Sequence, residues 1–289
     1  MTIDFKALGA QAAADGVDMN QAKAGGGGEY TPPAAGPVRL RFVGYTELGK
    51  HDFEWQGNKK VKEEVELTFE LSGPKHPPRE HEGKKYPLTI SIKESLSLNE
   101  KANFFKLFKK LNHAGKAKHI AELLGEAYLG TIIHKPYKRK DGSEGIGVNL
   151  KDDGGYQIRP TTFLDQETGE QRHVQVDPAI TPIKCFLWNY ADLNQWASIY
   201  VEGSYEERKN DKGEVTAKAR SKNVLQERVM QANNFIGSPI HTLLVANGQN
   251  VDIPASTQDM DEPPFDADEP ATPAAPAASK ADPLAGLGV

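Results

Sequence analysis

Apolar and polar residues alternate strictly over several stretches of the chain. Across 38–47, Val38, Leu40 and Phe42 point one way and Arg39, Arg41 and Tyr45 the other. That is the period of a half-buried β-strand. Residues 61–71 repeat it, with Val65, Leu67, Phe69 and Leu71 inward and Glu64, Glu66 and Glu70 outward. The two stretches are expected to pair antiparallel, which sets Arg39 and Arg41 against the glutamates as an exposed cross-strand ladder of charges. Clustered carboxylates also serve catalytic metals, but that use requires convergence on a cleft, and the alternation turns these outward. Residues 86–96, 127–137 and 145–150 read as three further strands, the last with Ile146, Val148 and Leu150 inward. Between the third and fourth strands the period becomes helical, over 99–111 and again over 117–124. In the first of these helices Ala102, Phe105, Leu107, Phe108 and Leu111 form the apolar side, and Lys101, Lys106, Lys109 and Lys110 a solvated face.

Three strands, helix, then two strands is the order of a five-stranded OB barrel. The expected fold is therefore mainly β with α insertions. Residues 37–160 form the barrel and 161–250 an α+β elaboration packed on it. In the elaboration, 183–190 reads as a buried strand, with Trp188 and Trp196 as core. Residues 192–200 read as a short helix capped by Asp192, 205–218 as a charged hairpin turning at 211–213, and 221–236 as a helix stopped by Gly237. Residues 1–36 are rich in Ala and Gly, up to a run of four glycines at 25–28, and read as a flexible arm. Its opening Ile3, Phe5 and Leu8 leave docking on a neighbour as the alternative. Residues 251–289, dominated by Pro, Ala, Asp and Glu, read as a disordered acidic tail.

Charge sharpens this picture. Residues 252–289 hold eight acids and one base; with the chain at −5 overall, the remainder is +2. Within that remainder, 84–140 carry thirteen Lys/Arg against four acids. In the OB order, the loops after the first and fourth strands bind oligonucleotides. Here the first offers Lys50, Phe53, Trp55, Lys59 and Lys60, and the second Lys135, Tyr137, Lys138, Arg139 and Lys140. Lys84 and Lys85, just ahead of the third strand, and Tyr86 and Lys93 on it complete the candidate DNA-binding set. Cations neutralise phosphates and rings stack on bases without reading sequence. The lysines of the intervening helix are assigned to solvent, because that helix lies away from the usual groove. In the tail, Asp259, Asp261, Glu262, Asp266, Asp268 and Glu269 surround Phe265, a candidate partner-binding segment.

Other chemistry is not legible. No Gly-rich loop ends in Gly-Lys-Ser/Thr, and no His-Glu-x-x-His occurs. Cys185 is the single cysteine, so no intrachain disulfide forms and a reducing compartment fits. No apolar run is long enough to span a bilayer, and no secretory h-region opens the chain. The reading is a non-enzyme without metal or cofactor.

The opening strand with its Val38-Arg-Leu-Arg-Phe-Val-Gly-Tyr-Thr-Glu-Leu-Gly-Lys50 sequence, the Leu67-Thr-Phe-Glu-Leu-Ser-Gly73 strand end and Ser97-Leu-Asn-Glu-Lys-Ala-Asn-Phe-Phe-Lys-Leu-Phe108 resemble the single-stranded-DNA-binding proteins of tailed bacteriophages, over roughly residues 37–250. The resemblance implies an OB fold, sequence-independent binding of single strands in phage replication, and residence in the cytoplasm of the infected host. It also implies a tail that meets replication partners such as a phage DNA or RNA polymerase. Homo-oligomerisation is open. Better-known members end at or near an aromatic residue, whereas here twenty-four residues follow Phe265. Two other readings stand beside this one: an OB-fold transcription cofactor that recruits a phage RNA polymerase, and a phage structural or scaffolding protein.

Overall fold

A computed structural model describes residues 31–249, 251 and 253, excepting 56, 82, 139–143, 166, 210–212 and 214, and the backbone alone of 55, 81, 208, 209, 216 and 217. The chain is mainly β, with one large, largely antiparallel sheet and few helices. Its longest element is strand β1, Gly36–Trp55. Strand β2, Asn58–Ser72, pairs with β1 along its whole length, from Arg39↔Ser72 to Trp55↔Asn58. The stretch expected as a loop between the first two strands is therefore a hydrogen-bonded ribbon.

Two bulges punctuate β1, at Val43 and at Leu48, where the register slips by one residue. Each extra residue inverts the alternation that follows it. Tyr45 was expected outward with Arg39 and Arg41. The bulge at Val43 turns it inward instead, fully buried beside Phe42. Its hydroxyl donates to Glu47 Oε1 at 3.2 Å, and burial pushes the phenol above its ordinary pKa.

The other edge of β1 is divided between two strands. Its first part, Gly36 to Arg41, pairs with β4, Ala127–Lys138. Beyond the first bulge, Gly44 to Thr46 pair in parallel with Lys184–Phe186. Strand β3, Leu88–Ser95, extends the sheet from β2, and β5, Glu144–Asn149, pairs with the far part of β4. The path of the large sheet runs β3-β2-β1-β4 and on to Ile158–Pro160, which pair with Tyr128–Gly130, while β5 pairs with the far part of β4 off that path. No ladder between β3 and β5, which would close the sheet, occurs among the described residues.

Helix α1, Asn103–Leu111, packs against β3 on one side and against 155–160 on the other. It sinks Phe104, Leu107 and Leu111 into the core formed by Leu40, Phe42, Leu67 and Phe69. Side chains also cross the gap. Tyr156 Oη donates to Glu94 Oε1 at 2.6 Å, and Lys151 Nζ lies 3.8 Å from the same oxygen. The second expected helix shrinks to a single 3₁₀ turn, Ile120–Leu123. The side chain of His119 accepts from Ala121 N–H, while Glu122 Oε1 accepts from the N–H groups of Lys118 and His119.

A second hydrophobic cluster gathers Leu48, Phe186, Trp196, Ile199, Val229, Phe235, Ile240 and Leu244. Leu48 enters it because the second bulge turns that side chain away from the first core. The expected buried strand over 183–190 is confined to Lys184–Phe186, and Ile183 and Tyr190 are exposed. Helix α2, Leu193–Ser198, is capped as expected, Asp192 Oδ1 accepting from Asn194 N–H and Gln195 N–H. Helix α3, Val224–Met230, ends well before Gly237, and α4, Pro239–Ala246, follows with Ser238 as its cap.

The expected charge ladder is also different. Arg41 does face Glu70 in register, but neither pairs with the other as a surface ion pair. Arg41 donates to the carbonyls of Gly125, Val176 and Asp177 at 2.6–2.9 Å. Glu70, buried, accepts from Ile180 N–H and Thr181 N–H at 2.7–3.1 Å. Each side chain thus holds the segment that crosses from the first core to the second. An irregular segment has no ladder of its own, and its buried polar groups need such partners.

Gly49 sits where the two cores meet. Its φ is +86°, and a Cβ there would lie 2.4–2.5 Å from the Trp188 ring and 2.7 Å from Ala232 Cβ. Gly49→Ala is therefore expected to cost about 2–4 kcal/mol, through the left-handed backbone and the clash together. A urea titration checks this; an unchanged midpoint would mean that Trp188 does not lie against Gly49.

Candidate nucleic-acid interface

The ribbon formed by the ends of β1 and β2 projects past both cores and carries most of the first candidate set. Lys59 and Lys60 are exposed and have no ion-pair partner among the described residues. Phe53 lies opposite Lys60 in register, half-buried, with Lys62 Nζ 5.2 Å from its ring centroid. That arrangement holds a cation beside an aromatic face. Lys50 lies 3.6 Å from Glu63, so its charge is partly answered. Trp55 pairs with Asn58 at the end of the ribbon.

The ribbon is braced from the side by the stretch that follows α3. Lys50 N–H donates to Asn234 Oδ1 at 2.8 Å, and Asn233 N–H donates to Lys50 O at 2.7 Å. Asn233 Nδ2 donates to Asp52 Oδ1 at 2.7 Å. One turn earlier, Arg228 donates from Nε and Nη2 to Glu64 Oε2 at 3.1 and 2.7 Å, while Lys62 Nζ lies 3.1 Å from Oε1. Burial alone would raise the Glu64 pKa, but the Arg228 and Lys62 charges outweigh it and hold the carboxyl below its ordinary value. These contacts use Asp52, Glu63 and Glu64 internally; Glu54, exposed, lies opposite Lys59 in register, and neither Lys59 nor Lys60 has an ion-pair partner among the described residues.

The second candidate set is carried by β4 and β5. Lys135 lies 4.0 Å from Asp153. Lys138 is exposed without an ion-pair partner among the described residues. Tyr137 faces Gly145 across the strands, and its ring covers Gly145 and Gly147. A Cβ at Gly145 would come within 2.7 Å of that ring. The ring is thus seated on the neighbouring backbone and 40% exposed. Ile146, expected inward, is exposed because the hairpin runs past the core. Arg139 and Lys140 lie outside the described residues, as do Asp259, Asp261, Glu262, Phe265, Asp266, Asp268 and Glu269 of the tail.

The two sets lie at opposite ends of β1. The ribbon continues its C-terminal end, whereas β4 runs antiparallel and carries its hairpin past the N-terminal end, since Gly36 already pairs with Ile132. The remaining candidates sit on other elements. Lys84, Lys85 and Tyr86 form one arm of a short hairpin with Arg79–His81; Lys85 lies 3.9 Å from Glu80, and Tyr86 is half-buried. Lys93 is exposed on β3 opposite Glu66.

Reading of the sequence alone missed Lys62 over Phe53 and the brace from Arg228, Asn233 and Asn234. Both arise from pairings between residues far apart in the chain. Among the described residues no group of three or more His, Cys, Asp or Glu side chains is arranged to hold a metal, and no helix is long and apolar enough to cross a membrane. No protein-family model, curated protein or solved structure matches the chain.

His51, at the root of the ribbon, supplies a pH test. It is buried, with Nε2 2.9 Å from Leu48 O. Burial and then the Arg228 charge lower its pKa, with Lys62 adding to the lowering and Glu64 opposing it. A lowered folded-state value means that the unfolded chain takes up the proton first. Stability is therefore expected to fall as pH drops through about 6.5 towards the folded-state value. Glu64 contributes its own loss only lower, as pH falls below the ordinary glutamate range. Chemical denaturation from pH 7.5 to 5.5 should show a decline that is smaller in His51→Gln; equal declines would remove His51 as the cause.

Proposed function

We propose that this chain binds single-stranded DNA without sequence preference. In this reading it serves replication of a tailed bacteriophage in the cytoplasm of the infected host, and its acidic tail meets replication partners. The observation that carries the reading is the presence of open lysines beside aromatic residues on both extensions of β1's partners. Lys59 and Lys60 accompany Phe53 on the ribbon, and Lys138 accompanies Tyr137 on the β4–β5 hairpin. In an OB barrel the loops at the corresponding places in the chain bind oligonucleotides, and the strand order is compatible with that fold.

The mechanism is electrostatic capture followed by stacking. Lysines displace counterions from phosphates, and rings take bases on their faces, an interaction every base offers equally. A duplex hides those faces. The brace from Asn233 and Asn234 holds the ribbon in place before the strand arrives, which lowers the entropy lost on binding.

Oligo-dT is expected to bind more tightly than duplex of equal length, with log affinity falling linearly in log salt. Charge removal in Lys59→Ala/Lys60→Ala should weaken binding and flatten the slope by about 0.7 for each phosphate that is no longer neutralised. Fluorescence titration across salt reads both quantities. Equal affinity for duplex, or affinity indifferent to salt, would overturn the proposal and favour the structural or scaffolding role.

A further inference from the structure

Helix α1 presents a second surface with the chemistry of a nucleotide site. Between α1 and the turn at Gly154–Gly155 lies a cleft of about 290 Å³. Phe105, half-buried, forms one wall. Lys109 Nζ stands 5.6 Å from the Phe105 ring centroid. Lys110 Nζ donates to Tyr156 O, which fixes that ammonium at the cleft. Lys106 lines the same cleft and is exposed.

The cleft is cationic. Lys106 and Lys109 are exposed, and neither has an ion-pair partner among the described residues. Glu100 is the acid that lines the cleft, against three lysines. A purely solvated helix face needs neither an aromatic wall nor a recess. The combination of both with a cationic rim fits a base on the ring and phosphates on the lysines.

We propose that this cleft binds one nucleotide of a single strand at a point separate from the β1–β2 ribbon, lengthening the strand that one molecule holds. The inference rests on the single-strand reading above. An acidic peptide shares the charge but makes less use of the aromatic wall.

The full chain and a Lys106→Ala/Lys109→Ala variant, with Lys110 kept because it ties the turn, would be titrated with oligo-dT of about 8 nucleotides, within the usual span of one OB-type site, and of about 30, above it. The expected result is a several-fold loss for the long oligonucleotide, a salt slope flatter by about 1.4, and unchanged affinity for the short one. Phe105→Ala should lower long-strand affinity without changing the slope. Unchanged affinity at both lengths, with oligo-dT still bound, would overturn the cleft while leaving the proposed function standing. Equal losses at both lengths would make the cleft part of a single site and overturn its separateness. Failure of the unmodified chain to bind oligo-dT would remove both proposals. Binding of poly-glutamate in place of oligo-dT, abolished in the lysine variant, would assign the cleft to an acidic protein.

Discussion

One strand is asked to serve two cores. β1 runs for 20 residues, about three times the usual strand, and a strand that long exposes a row of backbone donors and acceptors on each edge. β2 covers one edge throughout. The other is shared in sequence by β4 and by the short parallel strand at Lys184–Phe186. The bulges at Val43 and Leu48 make this division possible. Each turns the inward face of the strand, so that Phe42 and Tyr45 fill the first cluster and Leu48 the second. Burying side chains of this size is worth about 1.5–3 kcal/mol each, enough for a one-residue slip in this strand to be strongly disfavoured.

The polar contacts follow from the same strand. Arg41 and Glu70 face each other across β1 and β2, and both turn to the crossing segment, which has no ladder of its own. Glu64 reaches out of β2 to Arg228 on α3. Asn233 and Asn234 close on β1 just past Gly49. The helical elaboration is therefore a brace for the projecting ribbon as well as a second core. This links folding to the proposed chemistry: Arg228 answers the buried Glu64, the asparagines hold the ribbon, and Lys59 and Lys60 stay without an ion-pair partner among the described residues.

The alternation along 38–42 and 61–71 made the first two strands legible, and the order of strands and helix was legible with them. The ends of elements were not. The ribbon over 48–60 reads as a loop because Gly, Lys, His and Asn interrupt the apolar period, yet a two-stranded pairing needs only backbone groups. Tyr45 read as outward because a bulge leaves no mark in composition, and a single inserted residue reverses every later assignment. Of the expected ladder only Arg41 meets a glutamate, Glu70, while Arg39 faces Ser72; even that pair turns to carbonyls and amides 84 to 136 residues away. Helix α4 carries its signal in Ser238-Pro239, a cap followed by proline at the first helical position. Of the candidate site, the charges and rings could be read, but not which charges the fold consumes: Lys50 faces Glu63, whereas Lys59 and Lys60 stay open.

Amide hydrogen exchange on the full chain, with and without saturating oligo-dT, tests the central claim that the braced end of β1 and β2 is where the strand lands. The account predicts new protection across residues 50–62, on a ribbon whose root at Lys50 is already slow to exchange in the free protein. Unchanged exchange throughout 50–62, with protection appearing only on other elements, would contradict it.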